Sequence, residues 1–252
     1  MAVKRIIPCL DMKDGKVVKG TQFVGLRQLG DPVELAKKYS DADADELVLL
    51  DIAATDEARQ TKLELVRKIK KVISIPLIVG GGIRTLEDIE AVLTAGANKI
   101  SIGSAAVNQP ELINQASDKF GSSRIVIAID AKKTDQSWSV MAQGGKRNTG
   151  IDAIEWVKEA EARGAGEILL TSMDRDGVKS GYDLELTKAV VDAISIPVIA
   201  SGGVGSPVDF IDVFKQTNVS AGLAASIFHE DTYSIRDVKQ LCKDNGVKIR
   251  EA

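Results

Sequence analysis

A glycine-rich phrase occurs twice in the chain, and its two copies lie almost half a chain length apart. VGGGIRT occupies residues 79–85 and ASGGVGS occupies residues 200–206, so Gly81 and Gly202 are 121 residues apart in a chain of 252. Three further segments repeat with the same offset: ELVLLD with EILLTS, ISIP with ISIP, and LEL with LEL. The second half therefore restates the first, which is typical of a fold built from two equivalent halves.

Short apolar runs rich in β-branched residues alternate with helical patterns along the whole chain. They predict eight strands, at 5–10, 46–51, 75–80, 98–103, 124–130, 166–171, 196–201 and 219–224. Helices are predicted at 31–44, 59–73, 86–96, 110–118, 151–164, 183–194, 207–216 and 234–246. Strands that are apolar throughout indicate a parallel sheet covered by helices. The α/β fold that eight such units favour is the closed (β/α)8 TIM barrel, and an open doubly wound sheet is the alternative.

The repeat predicts how the barrel is divided. We expect a single domain over 1–252, with half-barrel repeats at about 1–121 and 122–252. Four strands of an eight-stranded barrel make half a circle, so each repeated feature should face its copy across the barrel mouth.

Composition excludes several classes of protein. The formal net charge is −3, and the densest basic cluster lies on a helical pattern, where it predicts a solvated face rather than a nucleic-acid site; it comprises Arg67, Lys68, Lys70 and Lys71. Two cysteines and one histidine supply neither a disulfide framework nor a metal cluster, so we expect no metal and no cofactor. The N-terminus lacks signal-peptide features and no apolar run approaches about 18 residues, which predicts a cytoplasmic protein without a membrane span.

The repeated glycines stand where strands three and seven end and the next helices begin. Glycine allows the backbone to approach a ligand closely, and the N–H groups of such turns favour an anion. Small residues end the neighbouring strands, as GSAA at 103–106 and AAS at 224–226. Tight strand-to-helix packing is the alternative role. Two copies at opposed strand pairs predict two phosphate sites, and hence a long substrate with a phosphate at each end.

Two aspartates end the first and fifth predicted strands, and they should also face each other. Asp11 and Asp130 are placed at the carboxyl ends of barrel strands, where catalytic residues lie. They are candidates for a general acid and a general base, and the sequence leaves the two roles open. Helix capping or loop stabilisation is the alternative. Cys9 shares the inward face with Asp11, and packing beneath the aspartate is favoured over nucleophilic attack.

Other polar residues are predicted around the same mouth. Asp51 ends the second strand and is a candidate wall residue, while Asp174, Asp176 and Gly177 belong to a long polar turn after the sixth. The glycine-rich, basic segment 12–30 is expected to be a loop that acts as a lid, with Lys19 reaching the substrate. His229 follows the eighth strand, where a structural role is favoured over a catalytic one.

These residues together resemble a known family. The phrases RIIPCLDMKDGKVVKG, VGGGI, AIDAK, GAGEILLTSMDRDGVKSGYD and ASGGVG are similar to the cyclase subunits of imidazole glycerol phosphate synthase, in histidine biosynthesis. The resemblance covers essentially the whole chain. The related phosphoribosyl-formimino isomerases of the preceding step share the half-barrel repeat and the opposed aspartates. Their openings usually read closer to PAIDL than to PCLD, so they rank second. A non-catalytic barrel that binds phosphoribosyl ligands ranks third.

The resemblance implies a substrate and a set of contacts. The substrate is phosphoribulosyl-formimino aminoimidazole carboxamide ribotide, which carries a phosphate at each end. Ammonia attacks it, the imidazole ring closes, and aminoimidazole carboxamide ribotide leaves. Thr171 and Ser201 are implied to hydrogen-bond the substrate beside Cys9, Lys19 and Asp51. The implied phosphate contacts are Gly81, Gly82, Gly103 and Ser104 at one end, and Asp176, Gly177, Gly202, Gly203, Ala225 and Ser226 at the other.

The resemblance also implies a source of ammonia. The chain shows no Cys–His pattern of a glutaminase, so the implied partner is a glutamine amidotransferase subunit at the N-terminal face of the barrel. Charged residues stand at strand starts near the barrel floor, and in the family their counterparts form a ring over the ammonia passage: Arg5, Glu46, Lys99 and Glu167. Ion pairing for stability is the alternative. The chain departs from the family at Gly103, where Asn is more usual, and at Asn98, where Asp is common.

Overall fold

The computed structural model describes residues 3–13, 16–21, 24–51 and 56–251, with the side chains of 19–21, 24–29 and 56–61 outside that description. The described residues contain twelve strands: β1 (Arg5–Lys13), β2 (Lys16–Thr21), β3 (Val24–Gly30), β4 (Leu47–Asp51), β5 (Leu77–Gly80), β6 (Lys99–Ile102), β7 (Ile125–Lys133), β8 (Trp138–Ala142), β9 (Arg147–Asp152), β10 (Glu167–Ser172), β11 (Val198–Ser201) and β12 (Ala221–Ala224).

The same ranges contain ten α-helices: α1 (Pro32–Asp41), α2 (Asp56–Val72), α3 (Leu86–Thr94), α4 (Ser104–Asn108), α5 (Glu111–Phe120), α6 (Ala153–Ala162), α7 (Leu184–Ala193), α8 (Pro207–Thr217), α9 (Ser226–His229) and α10 (Ile235–Asp244). A short 3-10 turn lies at Ser122–Arg124. Over this part of the chain, no helix combines the length and the apolar character that crossing a membrane requires.

Eight of the strands form the closed parallel barrel. Their order is β1, β4, β5, β6, β7, β10, β11 and β12, and the pairing of β12 with β1 completes the circle. Each predicted strand overlaps one of these eight, so the barrel is confirmed and the open doubly wound alternative is wrong. β1 and β7 are separated by three strands on either side, which places them opposite each other.

Two antiparallel hairpins extend barrel strands above the rim. β2 and β3 follow β1, and β8 and β9 follow β7. The expectation of a loop over 12–30 is wrong, because β1 continues to Lys13 and pairs Met12 with Val17. The second hairpin was not predicted: it follows the predicted strand 124–130, and the end of β9 occupies 151–152, where the predicted helix was to begin. Because β1 and β7 lie opposite each other in the barrel, the two hairpins extend from opposite sides of it.

Side chains pack in two layers on either side of the barrel wall. The outer layer lies between the strands and the helices and contains bulky residues such as Leu47, Trp156 and Phe210. The inner layer fills the barrel, because alternate residues of each strand point inward. Its buried members are Ile7, Cys9, Val48, Ile78, Val126, Leu169, Ile199, Ala221 and Leu223.

Helix caps fix the turns that form the rim of the barrel. The Asp31 carboxylate accepts hydrogen bonds from the N–H groups of Val33 and Glu34, just where α1 begins at a proline. Thr85, the last residue of the first glycine phrase, and Asp88 cap α3 reciprocally. Each cap contributes about 1 kcal/mol and sets the direction in which the chain leaves the strand.

Candidate active site

A cavity of about 880 Å³ opens at the carboxyl ends of the barrel strands. Residues from both halves of the chain line it, as expected for the functional face of this fold. Of the candidate contacts, the cavity brings together Cys9, Asp11, Asp51, Gly81, Gly82, Gly103, Ser104, Asp130, Thr171, Asp176, Gly177, Ser201, Gly202, Gly203, Ala225 and Ser226. Lys19 lies in β2, and its side chain is outside the described part of the structure.

The two aspartates face the cavity from opposite walls. Asp11 lies on β1, where its Oδ1 is 3.5 Å from the Cys9 Sγ. Asp130 lies on β7, beside Thr171 of β10 in the register. Both side chains are half-buried. The Cys9 thiol packs beneath Asp11, so the geometry fits the packing role that the sequence favoured for it.

Burial sets the proton affinity of Asp130. It raises the pKa of this carboxyl from 3.8 to about 6, and the negative charges of Asp176 and Asp11 add to the effect. A carboxyl with a pKa near 6 can exchange a proton close to neutral pH, which is what a general acid or base requires.

Glycine is required at both strand-to-helix turns. Gly81 has φ +86°, and a Cβ on it would lie 1.9 Å from the Asp51 carbonyl oxygen. Gly203 has φ +100°, and a Cβ there would lie 2.2 Å from the carbonyl oxygen of Gly181. The backbone at each turn therefore lies against a neighbouring segment where no side chain fits, and it lines the cavity directly.

Short helices follow the neighbouring strands on both sides of the cavity. α4 begins at Ser104 after β6, and α9 begins at Ser226 after β12. The sequence pattern did not predict these helices, although their serines are candidate phosphate contacts. The backbone N–H of Gln143 donates to the Ser104 Oγ at 2.8 Å, so the chain between β8 and β9 is tied to this end of the cavity.

A closed ring of four charged side chains forms the barrel floor. Arg5 donates to Glu46 and to Glu167 at 2.5 Å each. Lys99 donates to the same glutamates at 3.1 and 2.7 Å. Positive and negative groups therefore alternate around the ring. Burial opposes the charged forms, but the neighbouring charges outweigh it, so the pKa of Arg5 is raised and the pKa of Glu46 is lowered from their ordinary values.

Known proteins are similar to this chain over nearly its whole length. The family model described as "histidine biosynthesis protein" matches residues 5–234. The imidazole glycerol phosphate synthase subunit HisF of Anoxybacillus flavithermus is 56% identical over 252 residues, covering 99% of this chain and 100% of that protein. The chain belongs to the HisF family. The HisF subunit of Metallosphaera sedula is 53% identical over 250 residues, with the same coverage of both proteins. HisF proteins are the cyclase subunits of imidazole glycerol phosphate synthase, so the resemblance seen in the sequence is confirmed.

Besides Lys13 at the end of β1, three cationic side chains that line this HisF-family cavity were not singled out from the sequence. Arg84, Lys146 and Lys179 line it together with the glycine turns. Two of them lie within motifs that could have indicated them: Arg84 belongs to the first glycine phrase, and Lys179 belongs to the long turn after β10. Lys146 follows β8, in the hairpin that the sequence analysis did not predict. All three supply positive charge where phosphates are expected.

Two other candidates have partners outside the catalytic machinery. The His229 Nδ1 lies 2.6 Å from the Tyr39 Oη, and this histidine does not line the cavity. Asp174 accepts a hydrogen bond from the Lys133 N–H at 2.7 Å, which fastens the turn after β10 to β7. The geometry therefore favours structural roles for His229 and Asp174.

Replacing Asp130 with asparagine should stabilise the fold above pH 6. The folded-state pKa is higher than the ordinary 3.8, so the folded protein holds this proton more tightly than the unfolded chain. The stability gained in this way is present at low pH and is lost as the pH rises through about 6. We expect the free energy of unfolding of Asp130→Asn at pH 8 to exceed that of the wild type by about 1–3 kcal/mol, and to converge with it near pH 4. Urea unfolding at both pH values measures this, and a variant less stable at pH 8 would contradict it.

Replacing Gly81 with alanine should disrupt the first glycine turn. The positive φ and the overlap with the Asp51 carbonyl predict a loss of more than about 3 kcal/mol in the free energy of unfolding. Gly121→Ala is the matched control for the overlap, because Gly121 has nearly the same φ of +87° but no heavy atom within 4 Å of the position that its Cβ would take. Thermal unfolding of both variants tests the difference. Similar melting temperatures would show that the turn adapts to a side chain.

Proposed function

We propose that this chain closes the imidazole ring of phosphoribulosyl-formimino aminoimidazole carboxamide ribotide with ammonia made by a glutaminase subunit. The products are imidazole glycerol phosphate and aminoimidazole carboxamide ribotide. Membership of the HisF family supports this reaction. The observation that carries it is the opposed aspartate pair on β1 and β7, set between glycine-lined turns at both ends of one cavity.

The two ends of the cavity suit the two phosphates of the substrate. One end is formed after β5 and β6 by the backbone of Gly81 and by Ser104, and the other after β11 and β12 by the backbone of Gly203 and by Ser226. Backbone N–H groups at such turns bind anions well. Because the turns face each other across the barrel, a substrate held at both ends lies over Asp11 and Asp130.

The aspartate pair supplies the proton transfers of the reaction. One aspartate, as its carboxylate, takes a proton from the nitrogen that attacks, and the other, as its protonated carboxyl, gives a proton to the group that leaves as the ring closes. The pKa of about 6 at Asp130 places its proton exchange near neutral pH. Thr171 and Ser201, neighbours in the register of β10 and β11, hydrogen-bond the substrate between its ends, and Lys19 covers it.

Ammonia reaches this site from the opposite face of the barrel. The charged ring of Arg5, Glu46, Lys99 and Glu167 surrounds the axis at the N-terminal ends of the strands, where the glutaminase subunit docks. Asn98, the departure from the family noted above, accepts hydrogen bonds from Lys70 and from the Leu77 N–H on the same face. The complex works in the cytoplasm, with no metal or cofactor bound to this chain.

The decisive assay uses the purified chain alone with the bisphosphate ribulosyl substrate and an ammonium salt at alkaline pH. We expect turnover only when ammonium is present, with imidazole glycerol phosphate identified by mass. Conversion of the aminoaldose precursor without ammonium would instead identify the isomerase of the preceding step. Binding of the substrate without turnover would favour a non-catalytic scaffold.

A further inference from the structure

The repeat places opposite charges at one equivalent position behind the two glycine turns. The residue that precedes the repeated LEL segment is Lys62 in the first half and Asp183 in the second, 121 residues later. Lys62 lies in α2, and its Nζ donates a hydrogen bond to the carbonyl oxygen of Gly81. Asp183 precedes α7, and its carboxylate accepts a hydrogen bond at 2.9 Å from the Oγ of Ser172, the residue against whose backbone Gly202 packs. The first turn is thus backed by an ammonium group and the second by a carboxylate.

The hydrogen bond from Lys62 acts on a peptide group that borders the cavity. The carbonyl of Gly81 and the N–H of Gly82 belong to this one peptide group, and both glycines line the cavity. Within the part of the chain that the structure describes, nothing accepts a hydrogen bond from the Gly82 N–H, so this donor is available to a ligand. A cation bound to the carbonyl polarises the peptide group and makes its N–H a stronger donor.

Other charges near the two turns strengthen the contrast. Arg84 and Lys146 line the cavity at the first end, and neither forms an ion pair with the residues that the structure describes. At the second end, Lys179 pairs with Glu230 at 2.7 Å. Each turn also has one capping aspartate and one aspartate of the cavity wall, so these groups do not distinguish the ends: Asp88 and Asp51 at the first, Asp209 and Asp176 at the second.

We propose that Lys62 is a positioning residue that makes the β5–β6 end of the cavity the stronger of its two phosphate anchors. The proposal rests on the proposed function, in which the cavity holds one phosphate at each end. A phosphate monoester carries a charge of about −1.5 to −2 near pH 7. Lys62 attracts it through the peptide group of Gly81 and Gly82 and through its own charge, whereas Asp183 behind the second turn repels it. The substrate is therefore held mainly at its first end.

The first test follows the backbone amides of Gly82 and Gly203 by NMR while inorganic phosphate is added to the chain. The wild type should bind phosphate more tightly at Gly82 than at Gly203. In Lys62→Met, the Kd at Gly82 should rise by about tenfold, the effect of losing a hydrogen bond to a charged group, while the Kd at Gly203 stays the same. Lys62→Arg should keep the difference between the two ends. Equal Kd values at the two amides of the wild type would overturn the proposal, as would a change at both amides or at neither in Lys62→Met.

Kinetics with ammonium salt separate positioning from a structural role. In Lys62→Met, the KM for the bisphosphate substrate should rise by about tenfold and kcat should stay within about twofold, because the contact lies at the phosphate end of the substrate. Lys68→Met is the matched control: Lys68 is an exposed lysine of the same helix, without a hydrogen bond or ion pair to the described residues, and its replacement should change neither constant. A fall in kcat at unchanged KM would overturn the proposal. If the wild type shows no ammonium-dependent turnover, the proposed function fails, and the phosphate titration still decides the role of Lys62.

Discussion

Asparagine in place of Asp130 should lower kcat by about 10³-fold, the usual contribution of a positioned acid or base, while the substrate still binds. Asp11→Asn should have an effect of similar size. Asparagine keeps the shape of the side chain and the phosphate contacts at both ends of the cavity, so the KM for the bisphosphate substrate should change little. Steady-state kinetics with ammonium salt, together with direct binding of the substrate, measure both effects.

The dependence of the wild-type kcat/KM on pH should show the titration of Asp11 and Asp130. The pKa of about 6 at Asp130 predicts one limb of the kcat/KM profile near that value. If Asp130 acts as the base, activity falls below this pH; if it acts as the acid, activity falls above it. The two carboxyls interact, so the measured values belong to the pair. The direction of the limb, and its loss in Asp130→Asn, assign the roles that the sequence left open.

The control for this prediction is an aspartate on the same hairpin. Asp135 is exposed on the turn between β7 and β8 and does not line the cavity. Asp135→Asn should retain wild-type kinetics. A kcat for Asp130→Asn within tenfold of the wild type would remove Asp130 from the chemistry and leave it as a cavity wall residue.

The fold was predictable because local signals and the global pattern agree. Each strand is a short apolar run, and the eightfold alternation of strands and helices has the closed barrel as its best-known solution. The opposition of Asp11 and Asp130 followed from the repeat alone, since half of eight strands is half a circle. The glycine phrases were informative for a similar reason: Gly81 and Gly203 stand where the backbone allows no side chain.

Features that depend on contacts between distant segments were out of reach of the sequence. β2 and β3 have the glycine-rich, basic composition that predicted a loop, and only their pairing with each other and with β1 makes them strands. The raised pKa of Asp130 arises from burial and from charges on other strands. The alternation of positive and negative groups around the ring requires four strand starts to converge. The residues alone placed the four side chains near one floor, and the ring was implied only by the family resemblance.

Replacing Lys99 with methionine should impair turnover with ammonia made from glutamine but not turnover with added ammonium salt. The variant leaves Glu46 and Glu167, each 5% exposed in its side chain, with Arg5 as their remaining partner in the ring. Removing one partner from a buried charge network leaves uncompensated charge, so the remaining side chains rearrange. We expect the imidazole glycerol phosphate formed per glutamine hydrolysed to fall by about tenfold or more, the scale of losses that follow misplacement away from the chemistry. Ammonium-dependent turnover should stay near that of the wild type.

The measurement follows glutamate release and product formation side by side in the complex, and then product formation with ammonium salt alone. Lys119→Met is the matched control, because Lys119 pairs with Glu90 on the exposed surface at 2.8 Å, where an ion pair contributes little. In the control, the product formed per glutamine hydrolysed and the ammonium-dependent turnover should both stay unchanged. Equal losses with glutamine and with ammonium in Lys99→Met would mean that the ring serves the stability of the barrel floor. A selective loss with glutamine would make Lys99 part of the passage, since a purely structural residue affects both routes alike.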